Sequence, residues 1–527
     1  MLGVEKEPST TTANERSVTR IAALAFACAA SFVAPSEAGA RGDIPVLMQV
    51  TRNTSGDVID PRIRSQEGER ISFVSDGDVM GPGTAPGHTE VYLYEVANEA
   101  MTRVTNTPQA VVGADGRGSW DAARPTDDIF SDRPEIITFV SRGDFDPSVG
   151  NADANPEIFL YELGTGIIHQ LTDTLPPVEN RQPWAADSGK CIAFSSNGDL
   201  DDNDGSDSNN PGTGYTNPDG SFEVFLYSLN SSTSYPEDGN FTQVSNGPAG
   251  TTSSRPVTGG YIFQRQCQTT AYVSDYDQTG IDVTGSHVFI FDRDSGTNEE
   301  MVAPKEIPWG IQAGDYLYPN ISSASQFARG PFVVFQTNAD LWRNGSSGFE
   351  IFRYRVFHPR MTQYTDVLNG SVERPVISDG GGFVTFQSNG EILDPRRHAV
   401  SGGQPPFNED GNYEIFRLRG RRKVVQITRS AGCDNTLPST SDDGQTIAFR
   451  STCDLIPGIN PGGLPQVFVY KEVTPEDPRA GTAGCKVAEG CCNQANGCYH
   501  PVFGVKPNTR PKDCVGSPRE ACQPPPS

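Results

Sequence analysis

One unit of sequence recurs seven times between residues 71 and 470. A chain built from copies of one unit must stack those copies to bury the faces that each leaves open. A copy begins with a short run ending in an apolar-Ser/Gln/Arg-Ser/Thr group and, soon after, an acidic residue. A loop rich in Asp, Asn, Gly and Pro follows. Then come Glu, a Val/Ile-Phe/Tyr-x-Tyr run, a turn, and a run ending in Gln/Arg-x-Thr/Ser. The first three copies are Ile71–Asp78 with Glu90–Tyr94 and Thr102–Thr105, Ile137–Asp144 with Glu157–Tyr161 and His169–Thr172, and Ile192–Asp199 with Glu223–Tyr227 and Thr242–Ser245. A degenerate fourth has Ala271–Asp277 and His287–Phe291. The fifth and sixth are Val333–Asp340 with Glu350–Tyr354 and Thr362–Thr365, and Val384–Glu391 with Glu414–Leu418 and Val425–Thr428. The seventh, Ile447–Asp454 with Gln466–Tyr470, lacks the final run.

Each run alternates apolar with other residues over four to six positions and is rich in β-branched and aromatic types, which predicts half-buried strands. Another strand precedes each copy, often opening with Pro, as at Arg124-Pro125, Arg255-Pro256 and Arg374-Pro375. Turns at Asp187-Ser-Gly189, Asp379-Gly380 and Asp443-Gly444 return the chain, and Asp-Gly favours hairpins because such turns need positive φ. Each unit therefore predicts four antiparallel strands, the content of one propeller blade. The strand missing from the seventh unit lies at the other end of the chain. Leu47–Arg52 carries the signature of Gln426–Arg429 and precedes the first unit, so it can complete the last blade and remove two exposed sheet edges. The expected fold is all-β: a seven-bladed β-propeller spanning 41–475, closed by its N-terminal strand.

Three elements of the repeat carry a resemblance: the Ser441-Asp-Asp-Gly444 turn, the Ile447-Ala-Phe-Arg-Ser451 strand and the Asn408–Phe416 entry to a third strand. In these the unit resembles the TolB-type, WD-repeat-like propeller family over about 45–473. The resemblance implies a fold and a role as a binding platform in the bacterial envelope; some similar propellers are attached to peptidase or lyase domains. The chain departs from the name-giving protein, having no room for an α/β domain before the propeller and seven blades where that protein has six.

Residues 1–40 read as an export signal: Arg16 and Arg20, an apolar run Ile21–Ala34, and a small-x-small site at Ala38–Ala40. That run is short for a membrane span and no other stretch reaches 18 apolar residues, so a periplasmic or extracellular protein without a transmembrane segment is expected. Cleavage would remove Cys28 and leave ten of eleven cysteines, an even number that suits disulfides in an oxidising compartment. Cys433 and Cys453 flank one hairpin and are a candidate pair. Cys191 and Cys267, on neighbouring blades, are a weaker candidate. Cys485, Cys491, Cys492, Cys498, Cys514 and Cys522 crowd a Gly- and Pro-rich tail, 476–527, expected to be a disulfide-stapled segment whose pairing stays open.

The net charge of −25 argues against nucleic acid as a partner. Two sets of acids recur: Asp78, Asp144, Asp199, Asp277, Asp340, Glu391 and Asp454, and Glu90, Glu157, Glu223, Glu350 and Glu414. Blade symmetry would place both in rings on one face. A cation-binding or basic-ligand face is one reading. A structural role is preferred, with each Glu accepting backbone N–H groups or pairing with an Arg such as Arg124, Arg255 or Arg374, because a fold determinant repeats while a binding site is usually unique. Asp199, Asp201, Asn203 and Asp207 form the densest acidic loop and are the candidate ligands for Ca²⁺, although Asp204 and Asn210 depart from the helix–loop–helix calcium pattern and a solvated loop competes with this reading.

Six His show no metal-ligand spacing, and neither a Gly-x-Ser-x-Gly elbow nor a phosphate-binding loop is present. The chain leans away from enzymes. The preferred expectation is a monomeric exported propeller that binds a protein or glycan on its loop-rich face, with calcium as the one cofactor suggested. The alternative is a propeller hydrolase or lyase acting on polysaccharide or peptide, which requires titratable side chains from several blades to converge on the central channel.

Overall fold

Alternating short runs cannot bury both faces of a lone hairpin, so each repeat pairs its runs into a sheet and packs that sheet against its neighbours. A computed structural model describes residues 44–473, except 65–69, 127–134, 201–215, 230–238, 262–264, 278–284, 302–313, 323–330, 342–347, 357–358, 368, 393–407, 409 and 421–422, together with 491–493, 497–500 and 504–506. The leader reading at 1–40 lies outside the described residues. Seven four-stranded antiparallel sheets follow one another in chain order, the strands of each running outward from an inner strand. The inner strands are Val58–Arg64, Ser119–Trp120, Asn180–Ala185, Ser253–Tyr261, Tyr316–Ile321, Val372–Ile377 and Asn435–Thr440. The seven-bladed ring expected from the repeat is the ring observed.

Ring closure is as the repeat implies. Ile44–Gln49 pairs with Gln466–Val473, placing Met48 opposite Val469 and Gln49 opposite Phe468. In the tail, Cys491–Asn493, Gly497–His500 and Gly504–Lys506 form a three-stranded sheet that pairs Cys492 with Cys498 in register. Cys485, Cys514 and Cys522 lie outside the described residues.

One aromatic pair recurs in every blade where the second and third strands meet. Phe73 faces Tyr92, Phe139 faces Phe159, Phe194 faces Phe225, Tyr272 faces Phe289, Phe335 faces Phe352, Phe386 faces Phe416 and Phe449 faces Phe468. All seven pairs are stacked, with ring centroids between 5.6 and 6.0 Å. A slip of one residue would turn these rings to the other face, so the pairs set the register.

A polar latch holds the end of the fourth strand to the start of the third. In blade 1 the Thr105 hydroxyl accepts the Val91 N–H at 2.9 Å and donates to buried Glu90, whose carboxylate also accepts the Thr107 N–H at 2.7 Å. The same hydroxyl relay joins Thr172 to Ile158 and Glu157, Ser245 to Val224 and Glu223, Thr365 to Ile351 and Glu350, and Thr428 to Ile415 and Glu414. Burial, opposed by these hydrogen bonds, leaves the carboxyls of Glu157, Glu223 and Glu414 above the usual range. Blade 4 replaces the Glu with His287, which meets Glu300 at 2.9 Å. In blade 7 the latch closes the whole ring: Thr51 accepts the Val467 N–H at 2.9 Å and donates to Gln466 at 2.8 Å. Both candidate cysteine pairs lie at disulfide distance, Cys191 and Cys267 with Cα atoms 5.8 Å apart and Cys433 and Cys453 with Cα atoms 5.4 Å apart.

Replacing Thr51 by the isosteric Val leaves a buried N–H unmet and Gln466 short of a donor. Thr51→Val should therefore destabilise the propeller by about 2–4 kcal/mol. Urea unfolding monitored by fluorescence measures this, and an unchanged midpoint would remove the latch from the closure.

Candidate ligand-binding site

Every inner strand bends at one position. The residue there takes positive φ: Asp60 at 46°, Asp121 at 51°, Gln182 at 56°, Arg255 at 53°, Tyr318 at 53°, Arg374 at 54° and Leu437 at 53°. None is glycine, although side chains rarely adopt this region without cost. In six blades the next residue is proline, which has no N–H to leave unpaired and disfavours a right-handed helical turn before it. The pairing with the second strand shifts register across this step, as between Ile59 and Arg62 or Arg181 and Trp184. The bulged amides are answered from the preceding blade. Asp121 accepts the Gln182 N–H at 3.2 Å, Gln182 the Arg255 N–H at 2.8 Å, Gln336 the Arg374 N–H at 2.7 Å and Gln387 the Leu437 N–H at 2.8 Å.

The bulge turns all seven side chains into one central cavity of about 470 Å³. Its wall carries both signs of charge. Asp60 and Asp121 stand on blades 1 and 2 with Asp115, Arg62, Arg117 and Arg142 beside them, and Arg181, Arg255 and Arg374 stand on blades 3, 4 and 6 with Glu179 two residues before Arg181. Burial, then the charge of Asp60, pushes the Asp121 carboxyl above its ordinary value. Arg62 lies 3.7 Å from Asp60 and Arg142 lies 3.1 Å from Asp115. Among the described residues no carboxylate comes within ion-pair distance of Arg181, Arg255 or Arg374. Aromatic faces support them instead: Arg181 lies 3.3 Å from the ring centre of Phe222, and Arg255 and Arg374 each lie 4.1 Å from that of Tyr318.

The other end of the channel is plugged. Inner strands begin at the face that bears the long second-to-third-strand loops and end at the opposite face, where the first hairpin turns. From those ends Arg64 and Arg124 meet Asp187, Asp379 and Asp442, so five blades contribute to one cluster. Arg64 is 3% exposed; it pairs with Asp187 and lies 3.2 Å from both Asp379 and Asp442. Arg124 reaches Asp187 at 2.7 Å and lies 5.2 Å from the ring centre of Trp184, which lines the cavity above. Burial works against charge on Asp187, but Arg64 and Arg124 outweigh it and hold this carboxyl below its usual value. Burial, then Asp187 and Asp442, pushes Asp379 up to about 8. Three carboxylates against two guanidiniums leave one excess negative charge, and a proton on Asp379 neutralises it.

The acids expected in rings are placed as follows. Glu90, Glu157, Glu223, Glu350 and Glu414 are buried in the latches of their own blades. Asp78 accepts the Thr54 N–H at 2.7 Å, Asp144 the Asn151 N–H at 3.3 Å, Asp199 the Asn217 N–H at 3.2 Å and Asp454 the Gly458 N–H at 2.7 Å. Asp201, Asn203 and Asp207 of the calcium reading lie outside the described residues. Arg124, Arg255 and Arg374 do not partner the glutamates: Arg255 and Arg374 line the cavity and Arg124 joins the plug. Arg124-Pro125 looks like the bulge dipeptide of blades 4 and 6, yet the bulge of blade 2 is Asp121-Ala122, three residues earlier.

No family model and no curated protein matches the sequence. Among solved structures the chain is similar to an oligogalacturonate lyase from Vibrio parahaemolyticus, with 9% identity over 81% of this chain and 91% of that one and a TM-score of 0.46. It is similar to the β-propeller domain of the Trilobed protease from Pyrococcus furiosus, with 10% identity over 80% and 98% and a TM-score of 0.43. It is also similar to TolB from Acinetobacter baumannii, with 12% identity over 78% of each chain and a TM-score of 0.32. The likeness is one of fold.

A carboxyl raised in the folded state keeps a proton that the unfolded chain releases. The contribution of Asp379 is therefore complete below pH about 4 and is lost as pH rises through about 8. Asp187, shifted the other way, loses its contribution as pH falls through its lowered value. Asp379→Asn should flatten the decline between pH about 4 and about 8 and leave the acid limb set by Asp187 in place, as read from thermal midpoints across pH. An unaltered slope between pH about 4 and about 8 would mean that another group carries it.

Proposed function

We propose that this chain is an exported propeller that binds a protein or glycan ligand in the central cavity without transforming it. The carrying observation is the cavity itself: seven bulged residues from seven blades face one space of about 470 Å³ with a plugged floor. That volume suits a small ligand or the end of a larger one. The polar and aromatic wall offers ionic, hydrogen-bonding and stacking contacts. Among its described residues are no Ser, Cys or His to act as nucleophile or base. Asp121 spends one carboxylate oxygen on a backbone N–H of the bulge. Export is supported by the leader-like 1–40 and by two cysteine pairs at disulfide distance.

One observation keeps the hydrolase or lyase reading alive. Asp121, its pKa raised by burial and by Asp60, faces the same space as Arg255 and Tyr318, which is the convergence of titratable groups that chemistry across blades would need.

Both readings meet one experiment. Leu437→Trp fills the cavity at a position whose counterpart in blade 5, Tyr318, already carries an aromatic ring at the same φ. Binding to glycan and peptide arrays should fall at least about tenfold in this variant while its thermal midpoint holds. The wild type should leave bound oligosaccharides and peptides intact by mass spectrometry. Turnover abolished by Asp121→Asn would replace the binding reading with the enzymatic one.

A further inference from the structure

A chain with a net charge of −25 holds three guanidiniums from three blades around its central cavity, and among the described residues no carboxylate stands at ion-pair distance from them. Arg255 and Arg374 each lie 4.1 Å from the ring centre of Tyr318, an arrangement that keeps two like charges close without neutralising them. Arg181 is held on Phe222, and its buried Nε has no hydrogen-bond partner. Burial lowers the pKa of both Arg181 and Arg255, and for Arg255 the nearby Arg374 adds to that effect. Partly desolvated positive charge without an ion pair is costly unless a partner arrives. Among the described residues none of the three guanidiniums is joined to a carboxylate, and all three line the cavity.

We propose that the cavity is a carboxylate-binding site in which Arg255 and Arg374, both held on the ring of Tyr318, with Arg181 as a third donor, receive a singly charged carboxylate of the ligand. A planar guanidinium matches a carboxylate in bidentate fashion, and Tyr318 fixes the two forks beside each other. The opposite wall sets the charge of the ligand. Asp60 and Asp121 repel a second negative charge and accept hydrogen bonds, so phosphate and sulfate are disfavoured against a carboxylate that carries hydroxyl or amide donors. The inference rests on the reading of the cavity as the ligand site and names the chemistry that the site selects.

The test uses the full mature chain and matched pairs of small probes at millimolar concentration: glucuronate against glucose, and an N-acetyl dipeptide with a free carboxylate against its amide. Saturation-transfer NMR and calorimetry read binding, with inorganic phosphate and sulfate as competitors. The charged member of at least one pair should bind and its neutral twin should not. Which pair responds distinguishes a saccharide from a peptide source. Arg255→Gln and Arg374→Gln should each weaken binding about tenfold or more. Both are expected to fold, because blade 3 carries Gln182 at the same position and φ. Arg429→Gln, which removes an exposed guanidinium outside the cavity wall, should retain it. Neutral twins binding as well as charged ones, with Leu437→Trp abolishing both, would overturn the carboxylate site and leave the cavity reading intact. Tighter binding of phosphate or sulfate than of any carboxylate would overturn it as well, as would no carboxylate binding to the wild type. Binding untouched by Leu437→Trp would remove both readings.

Discussion

The hydroxyl relay between the fourth and third strands is the interaction on which the ring depends. One Thr or Ser oxygen accepts a backbone N–H at the head of the third strand and donates to the side chain that begins that strand. Two buried polar groups are thereby satisfied at once, and the exit of the fourth strand is fixed relative to the strand beside it. That exit leads into the next inner strand, so the latch sets where each blade hands the chain on. Ring closure is the same relay made between distant ends: Thr51 and Gln466 are 415 residues apart yet stand as Thr105 and Glu90 do, 15 apart. The change from Glu to Gln suits this place, since the amide also donates to the Asn53 carbonyl at 3.0 Å.

With the exit fixed and the aromatic pairs holding register, the inner strand meets the axis at one defined residue. The left-handed bend there costs of order 1–3 kcal/mol per residue and recurs in all seven blades, so the neighbouring acceptors and the following prolines must over-determine it. The backbone repeats while the side chains do not. Asp, Asp, Gln, Arg, Tyr, Arg and Leu occupy seven equivalent positions, so a symmetric scaffold presents an asymmetric wall. Function is more reasonably sought at such a position than among residues every blade shares.

This division explains what could be read from the sequence. Strand periodicity, the recurring Glu and the stray signature at Leu47–Arg52 repeat or complete a repeat, and they foretold the blades, the closure and the two cysteine pairs. The cavity wall carries no repeated letter. Its trace was the Pro that opens many inner strands, and even that misled in blade 2, where Ala122 holds the proline position and Arg124-Pro125 imitates it three residues later. Net acidity also pointed away from what the cavity holds, because a summed charge says nothing of three arginines brought together from positions 181, 255 and 374. The plug was invisible for a like reason: its turn aspartates read as hairpin residues, and only ring closure brings Asp187, Asp379 and Asp442 onto Arg64.

Plug and cavity are two levels of the same strands. Arg64 lies four residues beyond Asp60, and Asp187 and Asp379 five beyond Gln182 and Arg374. Ion pairs across the axis therefore cross-link the strand ends directly below the residues that face the cavity. A channel open at both ends would let a ligand or a thread of chain pass through. Trp184 over Arg124 and its carboxylates forms a floor to the space. A floored space on strands tied at both levels holds its side chains in place before a ligand arrives. That preorganisation is what a binding site needs if three like charges are to wait unpaired for one carboxylate.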